Sequence, residues 1–559
     1  MFMKWLKLLL FVSFASAAQA QMIKSGPQVL SFHSDVDDTE QPYTCYVPKN
    51  YNPKKSYPFV VMLHGAGSNH RLAMRRVFGK SNFEGENDVE ASLYFPEWKD
   101  VEYIVATPLA RGTMGYQGVA EKDVWDMIAD VKSRFSIDPV RTYLTGLSMG
   151  GGGTLWLGLT RPDFWAAIAP VCPAAPAGVE KYIGNAFNYP VHFFQGGADP
   201  VVKPEGTRKL VEDFKSAGSQ VEYVEYPGVL HDSWVNAYDN GNVFTWFSKF
   251  KRNPYPEKVK LSTAMHKYNT AFWLKIEDFK KGNTAKIEAG FEGKNNLVIK
   301  TENVDAFSLD LTNHPSFSPK QKVTINVDGQ VLWFAELKAG HVISRSGSSW
   351  QVIEIETPGL RKTSGSEGPM FEVVSDRHIY VYGTGGNPGK DELARRQAVA
   401  QKAAEWSYSR GDFLGRVMVF PRVLSDREVR PNDIERSHLV LFGTAKTNTL
   451  IAKFGDQLPM ELKEDKLETN GLAYVFPIGK KYVLVNSGLP WWEHKVQNNH
   501  PFAALSSPLP AGNLAAFGDW VLFEKDKPEA LSASSFNKNW KISPEDTKKL
   551  KSTEAVILK

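Results

Sequence analysis

Gly146-Leu147-Ser148-Met149-Gly150 is the stretch of this chain best suited to doing chemistry. The short strand pattern Thr142-Tyr143-Leu144-Thr145 leads into it, and a helical pattern as far as Trp156 leads out. A serine placed there is forced into a tight strand-to-helix turn. Glycines flank it because a β-carbon on either side would collide with the neighbouring strand or helix. The turn lifts the hydroxyl above the sheet, beside a helix N-terminus whose partial positive charge supports an oxyanion.

A serine hydroxyl is a poor nucleophile at neutral pH and needs a base. The order that serves such a turn is serine, acid, histidine, each just past a later strand. Asp199, in Gly196-Gly197-Ala198-Asp199-Pro200, follows the strand pattern 191–195. His231, in Gly228-Val229-Leu230-His231-Asp232-Ser233-Trp234, follows the pattern 220–226. His231 is expected to take the proton of Ser148 and return it to the leaving group. Asp199 is expected to hold the imidazole tautomer and stabilise the imidazolium. Among rivals, His192 lies inside a strand and reads as a packing residue, Asp232 points elsewhere on its turn, and Asp213 reads as solvated helix surface.

The developing oxyanion needs two backbone N–H donors. Met149, directly after the serine, supplies one. The other is expected from His64-Gly65-Ala66-Gly67-Ser68, where small residues let the backbone approach the acyl oxygen. Ala66 is the choice, with Gly65 and Gly67 close behind, and His64 reads as a structural hydrogen-bonding residue.

These residues must be carried by an ordered scaffold. From about residue 26 to 252, apolar strand patterns alternate with helical ones. Phe59-Val60-Val61-Met62-Leu63 is a continuous apolar run, as a strand buried on both faces requires, and Val124, Ile128, Val131 and Phe135 recur at helical spacing. Such alternation argues for a mostly parallel sheet covered on both faces. After Pro254 and Pro256 the texture changes to short strands separated by turns, as in an all-β sandwich. Arg361-Lys362-Thr363-Ser364-Gly365-Ser366-Glu367-Gly368 reads as a flexible polar joint. Beyond it strands, helices and a hairpin around Gly479 suggest a second, smaller α/β unit. The expected layout is a leader at 1–20, a catalytic unit at 21–252, a β unit at 257–360, an α/β unit at 369–525 and a peripheral Lys- and Ser-rich tail at 526–559.

Four stretches carry a family resemblance: His64-Gly65-Ala66-Gly67-Ser68; residues 137–151, reading Ile-Asp-Pro-Val-Arg-Thr-Tyr-Leu-Thr-Gly-Leu-Ser-Met-Gly-Gly; Gly197-Ala198-Asp199-Pro200-Val201-Val202; and His231-Asp232-Ser233-Trp234. Through them residues 26–252 resemble an α/β-hydrolase serine esterase. More narrowly they are similar to the polyhydroxybutyrate-depolymerase-like and feruloyl-esterase-like group of carbohydrate esterase family one, which overlaps the prolyl oligopeptidase catalytic domain. The resemblance covers about two fifths of the chain and implies ester or amide hydrolysis through an acyl-enzyme. Prolyl oligopeptidases place a large propeller before the hydrolase, whereas only a few dozen residues precede it here. The fold class expected is therefore α/β: an α/β-hydrolase fold followed by a small all-β domain and a second smaller α/β domain.

Lys4 and Lys7, the apolar run 8–14 and Ala18-Gln19-Ala20 together read as a signal peptide cleaved after Ala20, which implies a secreted or periplasmic protein. No later segment reaches 18 apolar residues, so no integral membrane segment is expected after cleavage. Of 559 residues 66 are basic and 62 acidic, a balance that gives no reason to expect nucleic-acid binding. Cys45 and Cys172, the two cysteines, could form one bridge or serve as small buried hydrophobes. No metal and no cofactor is expected. Gly383-Thr384-Gly385-Gly386-Asn387-Pro388-Gly389-Lys390 fails both nucleotide-loop patterns and reads as a turn, and Trp491 with Trp492 reads as a core pair before a sugar platform. The partner expected is an ester substrate such as an acylated polysaccharide, with oligomeric state open. Two alternatives stand beside it: a prolyl-oligopeptidase-like serine peptidase, disfavoured by the missing propeller and by the lack of a recognisable acidic pair for a substrate amine, and a non-catalytic glycan-binding protein, disfavoured by the intact serine–acid–histidine set.

Overall fold

The computed structural model describes residues 24–280, 282–337, 340–354, 359–409, 416–494 and 510–559. The expected leader lies outside them.

Eight strands form the first sheet: β1 (Gly26–Ser34), β2 (Thr39–Val47), β3 (Tyr57–Leu63), β4 (Ile104–Pro108), β5 (Ile137–Leu147), β6 (Ala167–Val171), β7 (Val191–Gly196) and β8 (Val221–Tyr226). Their order is β1-β2-β4-β3-β5-β6-β7-β8. β1 pairs with β2, and β2 with β4, antiparallel; from β4 to β8 every pairing is parallel. All residues of β3, β4 and β6 are buried, as central strands covered on both faces require.

The two-residue alternation of β3 divides its side chains between two cores. Phe59, Val61 and Leu63 face one, with Val124, Ile128 and Val131 of helix Val119–Arg134 and Leu155 and Leu159 of helix Met149–Thr160. Val60 and Met62 face the other, with Met74 and Val77 of helix His70–Val77 and Phe244 and Phe247 of helix Asn242–Phe247. The parallel register aligns the strand ends that matter: Leu63 lies opposite Gly146, Leu147 opposite Val171, and Gly196 opposite Tyr226. The loops carrying residues 64–68, 148, 199 and 231 therefore leave one rim of the sheet.

Residues 258–354 form two five-stranded sheets around Leu261, Ile287, Ile299, Phe307 and Trp350. Strict alternation of burial along Leu274–Phe279 marks the half-buried strands of a sandwich. A seven-stranded sheet follows. Arg422–Ser425, His378–Tyr382, His438–Phe442 and Lys481–Gly488 run parallel, and Asn470–Ile478, Trp520–Glu524 and Ser532–Ser534 extend it antiparallel. The hairpin at Gly479 is present, joining Asn470–Ile478 to Lys481–Gly488.

Two expectations need correction. The tail is not peripheral. Ser532–Ser534 adds a strand to the last sheet, Val556–Leu558 pairs with Met460–Leu462, and Phe536 and Trp540 are buried. Two large aromatics supply enough apolar area to anchor an otherwise polar segment. Nor is 361–368 a loose joint. Lys362 Nζ donates to the Glu367 carbonyl at 2.6 Å and pairs with Asp519, while Glu367 accepts the Lys267 N–H at 2.6 Å. Charged side chains that read as solvent-facing are tied down by partners distant in sequence. Trp491 is fully buried and stacked on Phe442, with Trp492 against its edge. No helix among the described residues is long and apolar enough to cross a membrane.

Candidate active site

Ser148 sits between β5 and helix Met149–Thr160 with φ 56° and ψ −116°, a conformation L-residues rarely adopt. Such strain, on the order of 1–3 kcal/mol, persists only where surroundings over-determine it. Here they do. The Ser148 N–H donates to Val171 O at 2.9 Å, and its carbonyl accepts the N–H groups of Gly152 and Ala174, each at 3.0 Å. The flanking glycines are steric necessities. A β-carbon at Gly146 would lie 2.8 Å from Leu63 Cβ, and one at Gly150 would lie 2.7 Å from His64 O.

His231 stands on the loop after β8. Its Nε2 is 2.9 Å from Ser148 Oγ and its Nδ1 is 2.8 Å from Asp199 Oδ2. The loops after β7 and β8 are knitted by Gly197 N–H to Tyr226 O and Ala198 N–H to Val229 O, both 2.9 Å. Trp234 packs edge-on against the imidazole, 5.6 Å between ring centroids. The Asp199 carboxylate is wholly buried, whereas the His231 side chain keeps 19% exposure. Asp199 Oδ1 accepts the N–H groups of Val201 and Val202 at 2.8 and 2.9 Å, and Oδ2 accepts Gln195 Nε2 at 3.1 Å besides His231. Burial raises the Asp199 pKa, but the hydrogen bonds from His231, Val202 and Val201 outweigh it and hold the carboxyl below its ordinary range. Such an array can draw a proton from the hydroxyl onto the imidazole and stabilise the resulting cation.

The loop after β3 closes over the same rim. A β-carbon at Gly65 would lie 3.5 Å from Ser148 Cβ, so this backbone runs beside the serine. Gly67 N–H is already committed to Thr113 Oγ1 at 2.9 Å, which removes Gly67 from the candidate donors and leaves Ala66 and Gly65. Met149, first residue of its helix, has an N–H without an intrahelical acceptor. His64 is buried, with ring nitrogens 2.8 Å from the carbonyls of Gly65 and Leu109. Burial pushes its pKa down more than those carbonyls raise it, and the buried ring braces the loop.

The rival residues fall elsewhere. His192 packs between Phe194 and Trp246, burial lowering its pKa to about 4. Asp213 lies on helix Pro204–Ser216 beside Lys209. Asp232 caps a backbone turn to Val235. Cys45 and Cys172 are both free and buried, so no bridge joins them. Cys172 lies beneath the site, its Sγ together with Asp199 and His231 forming a cluster whose ligand atoms lie within 4.8 Å of one another. Burial raises its thiol pKa to about 12, and Asp199 and His231 already bond to each other, a donor set poorly prepared for a metal.

Two supporting residues were not singled out from the sequence: Gln195, held by Thr207 Oγ1 at 2.8 Å while it donates to Asp199, and Thr113. Gln195 could have been suspected from its place at the end of the strand that precedes the acid.

Residues 37–189 match the family model described as "Putative esterase". Ser148, Met149 and Ala66 lie inside the matched range, Asp199 and His231 beyond it. Among solved structures the chain is similar to a thermostable esterase, at 26% identity over 40% of this chain and 63% of that one, with a TM-score of 0.33. It is also similar to a ferulic acid esterase, at 19% identity over 40% of this chain and 98% of that one, TM-score 0.33. A ferulic acid esterase from the anaerobic fungus Anaeromyces mucronatus matches at 19% identity over 40% and 90%, TM-score 0.29. The eight-stranded sheet and its strand order give the N-terminal part of this chain an α/β-hydrolase fold, followed by further β-rich sheets, and within it residues 37–189 are similar to the esterase family model.

Proposed function

We propose that this protein is an exported serine hydrolase that cleaves carboxylic esters through an acyl-enzyme, with acyl groups on polysaccharide or related esters as substrates. Ser148 Oγ attacks the acyl carbon while its proton passes to His231 Nε2, and the N–H groups of Ala66 and Met149 hold the oxyanion. The tetrahedral adduct collapses, and the alcohol leaves with the proton from His231. Water, deprotonated by the same imidazole, then releases the acid and restores Ser148. Asp199 keeps Nδ1 protonated throughout.

The observation that carries this reading is the chain of contacts from the strained Ser148 through His231 to a buried, well-bonded Asp199. The same relay can cleave amides, so the test is comparative. Turnover of p-nitrophenyl acetate should exceed that of aminoacyl-anilides and vanish in a folded Ser148→Ala variant; faster anilide cleavage would place the protein among peptidases. The division at 253–256 and 361–368 and the leader at 1–20 belong to the same proposal. A mature N-terminus at Gln21 in the exported protein supports it, and an intact Met1 refutes the leader.

A further inference from the structure

We propose that Thr113 is a positioning residue for the oxyanion loop, and that the C-terminal segment 416–420 holds it in register. The inference rests on the reading that Ala66 donates to the oxyanion.

The segment after β4 is strained in an unusual way. Ala110, Arg111 and Gly112 have φ of 45°, 63° and 86° in succession, the first two without the freedom of glycine. Two sets of contacts hold it. From within the N-terminal fold, the buried Arg111 guanidinium donates to Asp37 and Asp123 at 2.6 and 2.5 Å and to Ser34 Oγ at 2.7 Å. From more than three hundred residues away, Val417 pairs with Gly112 as a short antiparallel bridge. In that bridge Thr113 N–H donates to Arg416 O at 3.0 Å and Met418 N–H to Arg111 O at 3.1 Å. Phe420 N–H adds a bond to Asp37 Oδ2 at 2.8 Å. No side chain fits at Gly112, where a β-carbon would overlap Arg416 O.

What this clamp presents to the active site is the buried hydroxyl of Thr113, acceptor of the Gly67 N–H. That bond, with Ser68 N–H to Gly65 O at 3.2 Å, fixes the turn on which Ala66 sits. The neighbouring contacts converge on the same loop, with Leu109 O beside the His64 ring and Tyr116 OH donating to His64 O at 3.0 Å. Backbone donors act on an oxyanion only within a few tenths of an ångström of the right place. A segment of the C-terminal sheet region thus sets a donor in the N-terminal one.

Kinetics of Thr113→Val and Thr113→Ser test this. Valine keeps the shape and deletes the acceptor. We expect kcat on an activated ester to fall roughly 10- to 100-fold with KM within about twofold, and serine to recover activity to within about threefold. Affinity for a trifluoromethyl ketone, which forms the tetrahedral adduct, should fall in parallel with kcat/KM. Gly112→Ala, which pushes the 416–420 segment away, should lower kcat in the same manner. Wild-type kcat in Thr113→Val, or a loss that Thr113→Ser does not recover, overturns the proposal. Ser148→Ala separates the two readings: if it is inactive while Thr113→Val is unimpaired, only the positioning fails; if it remains active, the reaction assignment itself fails.

Discussion

Gly150 lies so close to Leu63 that a β-carbon on it would come within 2.6 Å of the Leu63 carbonyl carbon. The obstacle is backbone of a central strand, which cannot move aside. Gly150→Ala should therefore destabilise the protein by about 2 kcal/mol or more and remove activity with it. Gly206, exposed on helix Pro204–Ser216 with open space around it, is the contrast. Gly206→Ala should stabilise by up to about 1 kcal/mol. Urea denaturation of both variants checks the pair.

Asp199→Asn keeps the volume of the acid and removes its charge. The imidazole then loses the partner that fixes its tautomer, and kcat should drop on the order of 10³–10⁴-fold with the fold intact. The same variant carries a pH signature. The native Asp199 carboxyl is held below its unfolded value of 3.8, so its contribution to stability is full above that value and is lost as pH falls through the native pKa. Between about pH 5 and pH 2 the stability difference between wild type and Asp199→Asn should shrink as pH falls. Denaturation curves across that range measure it. A gap that widens in acid would contradict the assigned direction.

Arg111→Ala leaves the Asp37 and Asp123 carboxylates buried without their common cation. Breaking such a cluster from one side costs about 3–5 kcal/mol. The expected result is a strongly lowered urea midpoint together with weakened docking of the 416–420 segment, visible as faster amide exchange there.

Deleting residues 526–559 removes Phe536 and Trp540 from the last core and strips a strand from its sheet. The truncated chain should lose stability by several kcal/mol, on the scale of large aromatic deletions, and aggregate through the uncovered strand Trp520–Glu524. A truncated chain that melts at the wild-type temperature would show the tail to be dispensable.

What could be read beforehand follows a physical divide. Ser148 was legible because its turn imposes glycines at fixed local spacing, and β3 because the five successive apolar residues Phe59 to Leu63 suit a strand buried on both faces. Chain order points to Asp199 and His231, and the fold sets His231 against Ser148 and Asp199 against His231. The tail was misjudged because Phe536 and Trp540 stand alone among lysines and serines, their partners Phe476 and Tyr482 lying far upstream. Thr113 left no trace at all. Its role comes from three-dimensional juxtaposition with Gly67 and Arg416, and neither its type nor its spacing encodes that.

The most direct test of the central claim is the pre-steady-state release of p-nitrophenol from p-nitrophenyl acetate, followed by mass analysis of the acid-quenched protein. The account predicts a burst approaching one equivalent per chain with a single acetyl group on Ser148, and no burst in Ser148→Ala. Undiminished turnover in Ser148→Ala, or acetyl found on another side chain, would contradict it.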